Sequence, residues 1–150
     1  MEKALVLYDS KYGNTKILAE KIAEAIGEKQ SIQPDVVNLQ GFDKKKIEGY
    51  DTVLIGSPNH FGRESKNTKR FIKNLGDINL EGKRLAVFDT CFRAEVGKAS
   101  RKMEKRIQSV NPGAQFVSPG LSVIVDSAKG PIAEGEFAKC MEFVDRIAQP

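Results

Sequence analysis

Tryptophan is absent from the 150 residues, histidine occurs once, and cysteine occurs twice, as Cys91 and Cys140. The two cysteines form no C-x-x-C pair and read as free thiols rather than a bridge. Cys140 falls in a helical stripe, where a small apolar side chain packs a core. No apolar run approaches the roughly 20 residues needed to cross a bilayer. Met1-Glu2-Lys3 leads straight into a short apolar run, without the layout of a signal peptide. A cytoplasmic protein with no membrane association is therefore expected. No repeat, linker or low-complexity tract divides the chain, so residues 1–150 are expected to form one domain. A chain of that size buries roughly 70% of its unfolded surface and needs no disulfide or metal staple.

Net charge is +4 and unevenly spread. Residues 51–110 hold thirteen basic and seven acidic side chains, whereas residues 1–50 are balanced at eight of each. A positive excess favours acidic partner surfaces. Nucleic acid is not expected as a partner, because no aromatic-rich basic motif accompanies the charge.

Short β-rich runs alternate with helical patterns along the whole chain. Ala4–Tyr8 is nearly all apolar, as in a strand buried on both faces. A helix is predicted from about Asn14 to Ile26, with Leu18, Ile22, Ala25 and Ile26 at helical spacing and Gly27 at its end. Strands are predicted at 35–39, 52–56 and 84–88. Helices are predicted around Thr68–Leu75, over 94–110, and over 134–148 with Phe137, Cys140, Met141, Val144 and Ile147 on one face. A fifth strand, Gln115–Val117 and Leu121–Val125, is broken at Ser118-Pro-Gly120, which implies an edge position. This alternation predicts an α/β fold, a parallel sheet covered on both sides with right-handed crossovers. Ligands of such folds sit at the carboxyl ends of the strands, so the informative residues follow each strand.

Ser10-Lys-Tyr-Gly-Asn-Thr15 follows the first strand. A tight turn into a helix start exposes unpaired amides, and the helix dipole favours an anion there. Gly13 permits a backbone geometry that a Cβ hinders. Simple capping by Asn14 or Thr15 is the alternative reading of these six residues. Neither a G-x-G-x-x-G nor a G-x-x-x-x-G-K-[ST] motif occurs here. A response-regulator reading fails because Asp9 stands alone and the third strand ends in Gly56-Ser57.

The first of these segments resembles the flavodoxin phosphate loop, [ST]-x-T-G-x-T. Gly56-Ser-Pro-Asn-His-Phe-Gly62 is similar to the family's first ring loop, and Ala86-Val-Phe-Asp-Thr-Cys-Phe92 falls where the second belongs. The resemblance covers essentially the whole chain. It implies a three-layer, doubly wound, five-stranded flavodoxin-like sheet in the order 2-1-3-4-5, with FMN as cofactor. It makes Ser10, Lys11, Tyr12, Gly13, Asn14 and Thr15 the cradle of the FMN phosphate. Ser57, Pro58, Asn59, His60, Phe61 and Gly62 would line one side of the ring, and Asp89, Thr90, Cys91 and Phe92 the other. Tyr12 stands where the family usually has threonine. With no tryptophan to stack on the ring, His60, Phe61 and Phe92 are the available groups. The peptide near Asn59–His60 is the expected partner of the flavin N5. Asp89 also reads as a strand-end cap, and Cys91 as a packing residue. The basic balance departs from the acidic family norm and implies a less negative low-potential couple.

The implied function is an electron carrier between redox proteins, a monomer or weak dimer with no substrate pocket of its own. Two alternatives stay open at this point: an FMN-dependent NAD(P)H:quinone-type reductase, and an interaction module that has lost FMN.

Overall fold

A computed structural model describes residues 3–149; Met1 and Glu2, read above as part of a leaderless N-terminus, lie outside the described residues. The chain runs β1 (Ala4–Tyr8), α1 (Asn14–Gln30), β2 (Asp35–Asn38), a 3-10 turn (Lys44–Gly49) and β3 (Thr52–His60). It continues through β4 (Arg63–Glu64), α2 (Lys66–Lys73), β5 (Arg84–Cys91), a 3-10 turn (Arg93–Glu95), α3 (Lys98–Val110), β6 (Leu121–Ile124) and α4 (Phe137–Ala148). The main sheet is parallel in the order β2-β1-β3-β5-β6, and β4 folds back antiparallel on β3. Leaving out the short β4, this is the expected order.

β1 shows why its run is apolar throughout. Leu5 and Leu7 join the core beneath α2 and α3, whereas Val6 and Tyr8 join the core beneath α1 and α4. Alternate side chains of one strand thus feed two layers, which a strand with polar alternation cannot do. On the α1–α4 side, Leu18, Ile22 and Ile26 meet Phe143, Val144 and Ile147. On the other side, Ile72 and Leu75 meet Met103 and Ile107. Gly56 lies beside Phe88 in the β3–β5 register, and a Cβ there would stand 2.0 Å from the buried Phe88 ring.

Several expected boundaries move. α1 does not stop at Gly27; it runs to Gln30, and the Gly27 carbonyl accepts the Ser31 amide where Ser31 turns left-handed. The predicted helix over 94–110 splits: a 3-10 turn precedes left-handed Gly97, and α3 begins at Lys98. α4 buries Cys140, Phe143, Val144 and Ile147 but leaves Phe137 and Met141 partly exposed. Phe143, not Met141, therefore completes its inner face. The broken fifth strand is observed: Phe116 bridges Leu85, a cis Ser118–Pro119 bond interrupts, and β6 resumes at the sheet edge.

Candidate functional site

A cleft opens at the carboxyl ends of β1, β3 and β5, where the strand order reverses. The first wall comes from the turn into α1. The amides of a first helical turn have no acceptor one turn back. Gly13 precedes α1 at φ 100°, with nothing within 4 Å of the place a Cβ would occupy. Ser10 folds toward these amides, and its hydroxyl accepts from Gly13 N–H at 3.0 Å and from Lys16 N–H at 3.4 Å. Two amides converging on one oxygen is the geometry that holds an anion at a helix start. Neither Asn14 nor Thr15 caps the helix by side chain, so the capping alternative does not describe this turn. Asn14 Nδ2 instead donates to the Ala128 carbonyl at 3.0 Å, and the Thr15 and Thr90 hydroxyls meet at 2.8 Å. Ser10, Lys11, Tyr12, Asn14 and Thr15 line the cleft, and Gly13 shapes the turn behind them.

The second wall corrects the sequence reading. The run Ser57–Gly62 is not a free loop: β3 continues to His60 and returns as β4, with Asn59 opposite Glu64 and His60 opposite Arg63. Phe61 and Gly62 form the tip at φ 56° and 85°, the paired left-handed geometry that a two-residue hairpin turn requires. That geometry costs a non-glycine residue about 1–2 kcal/mol. Asn59 braces the tip: its Oδ1 accepts from Gly62 N–H at 2.8 Å, and its Nδ2 donates to the Glu95 carbonyl at 3.3 Å. Pro58, Asn59, His60 and Phe61 border the cleft. Ser57 does not. It is fully buried, accepts from Ser65 N–H at 2.9 Å, and belongs to a network in which the Ser65 hydroxyl donates to Asp9 at 2.6 Å. Gly62 is buried and does not line the cleft; a Cβ there would stand 3.2 Å from the Glu95 carboxylate.

The third wall is the end of β5. Thr90, Cys91 and Phe92 line the cleft, with Phe92 half exposed. Asp89 points away from it, fully buried, and accepts from the Ser100 amide and from the Ser100 and Ser122 hydroxyls. Ser100 lies in the first turn of α3, which has no side-chain cap of its own. Asp89 therefore caps α3 from the neighbouring strand, the role also read from its strand-end position. Burial raises its carboxyl above the ordinary 3.8, against the pull of those donors. Burial and the Asp89 charge push the Cys91 thiol up to about 12, which keeps it protonated and makes it a packing group rather than a nucleophile.

Glu95, Val125 and Ala128 also line the cleft and were not anticipated. Glu95 comes three residues after the expected third loop, and the other two lie beyond β6, so no local motif marks them. Among the described residues no cluster of metal-ligating side chains occurs, and no helix is long and apolar enough to cross a membrane.

Comparison with known proteins agrees with this geometry. A family model described as flavodoxin domain matches residues 5–121. The chain is 32% identical over 142 residues to a flavodoxin of Maridesulfovibrio salexigens, covering 88% of this chain and 92% of that one. It is 33% identical over 88 residues to a flavodoxin of Clostridium saccharobutylicum, covering 59% of this chain and 55% of that protein, so it spans about half of that relative's length. The crystal structure of oxidised Flavodoxin 2 from Bacillus cereus superposes with a TM-score of 0.83 at 27% identity, covering 97% of both chains.

Proposed function

Since this chain belongs to the flavodoxin domain family, we propose that it is an FMN-binding electron carrier. The observation that carries this reading is the turn before α1, where the Gly13 and Lys16 amides converge on the Ser10 hydroxyl at the mouth of a cleft walled by β3–β4 and the end of β5. The residues present suit the cofactor: an uncrowded anion cradle, then a slot with polar backbone on one side and Thr90, Cys91 and Phe92 on the other.

Ser10, Asn14, Thr15 and the amides from Lys11 to Lys16 would hold the phosphate, with Lys11 adding positive charge. His60 and Phe92 would stack against the ring, and the Asn59–His60 peptide would face the flavin N5. Phe61, whose side chain is 97% exposed, is left out of this set. Asn59 and the Glu95 carbonyl fix the spacing of the two ring-bearing walls. Bound FMN supplies one- and two-electron transfer at its ring, and the chain tunes that chemistry through stacking, hydrogen bonds and charge. Partners are other redox proteins, and the basic excess of residues 51–110 fits acidic docking surfaces. The carrier works as a monomer or weak dimer in the cytoplasm.

Titration of the purified protein with FMN tests this. Shifted visible bands and quenched flavin fluorescence are expected, with riboflavin binding more weakly because it lacks the phosphate. Unchanged free-flavin fluorescence would overturn the reading in favour of an interaction module. Oxidation of NAD(P)H by the loaded protein would overturn it in favour of a reductase.

A further inference from the structure

We propose that the mouth of the cleft docks a redox protein through an acidic surface, with Phe61 as the apolar anchor of the contact. The inference rests on the electron-carrier reading above and adds to it the surface that meets the acidic partner and the apolar anchor of the contact.

Seven large apolar side chains are exposed among the described residues, and four of them gather here. Tyr12, Phe61 and Phe92 border the cleft, and Val96 follows Glu95 at its rim; Phe92 would face the ring once FMN is bound, which leaves Tyr12, Phe61 and Val96 to a partner. Exposed apolar groups that gather in one place mark an interaction surface, whereas scattered ones do not. Phe61 stands out within the group. Its side chain is 97% exposed, and its backbone is left-handed at φ 56°. Glycine or asparagine would relieve the backbone, and a polar side chain would suit the solvent. The residue is held out against both preferences, and strain of this kind collects at functional positions. The tip that presents it is braced by Asn59 through Gly62 and Glu95.

The rim around Phe61 is positive. Lys11, Arg63, Arg93, Lys98 and Lys129 are all exposed. Arg63 pairs with His60 across the hairpin, Arg93 follows Phe92, and Lys129 follows the cleft residue Ala128. The opposing charge is mostly committed elsewhere. Glu95 lies 3.2 Å from Lys98 and offsets that one rim charge, Glu64 is buried against Arg106, Asp89 is fully buried, and Asp126 is the remaining exposed carboxylate of these segments. A desolvated aromatic inside a charged rim is how interface hot spots are built, and the sign of the rim selects the partner.

The test uses the FMN-loaded protein, reduced and mixed in stopped flow with cytochrome c or with succinylated cytochrome c. The second is the same haem protein with its surface lysines turned into carboxylates. One electron passes from the reduced flavin to the ferric haem iron, which becomes ferrous. Raising ionic strength from about 0.01 M to about 0.15 M shortens the screening length from about 30 Å to about 8 Å. The rate with the succinylated acceptor is expected to fall several-fold, and the rate with the native basic acceptor to rise. Arg63→Glu with Arg93→Glu flattens both trends. Phe61→Ala slows the succinylated acceptor several-fold at every salt concentration, while FMN affinity, read by flavin fluorescence, is retained. If affinity falls by the same factor as the rate, the Phe61 ring belongs to the cofactor and the anchor is overturned. If the rate with the succinylated acceptor rises with salt, the acidic partner is overturned. Failure to load FMN is seen before any acceptor is added, and it removes the carrier reading together with the docking face.

Discussion

Single side chains at this site serve two masters. Thr15 is 1% exposed and its hydroxyl pairs with that of Thr90, so one residue of the phosphate turn is bonded to one residue of the ring slot. Thr15→Val leaves the Thr90 hydroxyl buried without that partner. A loss of about 1–3 kcal/mol in urea unfolding is expected, together with a larger loss of affinity for FMN than for riboflavin. Equal losses for the two flavins would separate Thr15 from the phosphate. Asp89 makes a prediction with a definite sign. Its folded pKa is raised by burial, so the stability it contributes is complete below the unfolded value and declines as pH climbs toward the folded one. Relative to Asp89→Asn, the parent protein should lose stability as pH rises from below 3.8 through the mildly acidic range, measured by chemical denaturation at each pH. A difference independent of pH contradicts this. The position of Asp89 after a strand suggested a cap; its helix partner, eleven residues on, could be found only once β5 and α3 were packed together.

Among the elements, the β3–β4 hairpin was the one the chain hid best. Pro58, Asn59 and Gly62 are turn formers, and they mask a strand end that pairs with β5 at Ser57 and Pro58 and then only with the two residues Arg63–Glu64. Part of what holds the hairpin lies far off in sequence: Glu64 is fully shielded and pairs with Arg106 of α3. Its second carboxylate oxygen is buried without a hydrogen bond. Arg106→Ala strands that carboxylate, and a cost of about 3 kcal/mol is expected, the lower end of the range for broken buried pairs because Arg106 is partly exposed. Replacing both residues by methionine should recover most of the loss. A double variant no more stable than Arg106→Ala would show that the pair does more than satisfy its own charges. The long elements were easier to read, because helical spacing in α1 and the unbroken apolar run of β1 each admit one assignment. Their ends were not: Gly27 suggested a stop that the Ser31 turn, four residues beyond, supplies.

For the molecule as a whole, strand–helix alternation was enough to give the sheet and the position of the cleft, since ligands of a parallel sheet sit at the carboxyl ends of its strands, and the break at Ser118-Pro-Gly120 gave the edge strand. Contacts that close the cleft from a distance, such as Val125 and Ala128, leave no local pattern to read. The basic excess of residues 51–110 also acts at this scale. A positive surround favours the added negative charge of reduced flavin, so the low-potential couple should be less negative than in acidic flavodoxins. Salt should drive it more negative as screening grows; an equal or more negative value at low salt in a redox titration contradicts this. One tie reaches across the chain: Asn14, at the head of the first helix, holds the Ala128 carbonyl, seven residues beyond the last one matched by the family model. A fragment trimmed to residues 5–121 would keep the recognisable signature yet forfeit the backstop of its own cofactor bed, along with α4, which shares one flank of the sheet with α1. Homology boundaries and working boundaries therefore part company here, and any minimal version of this protein has to be cut by the second.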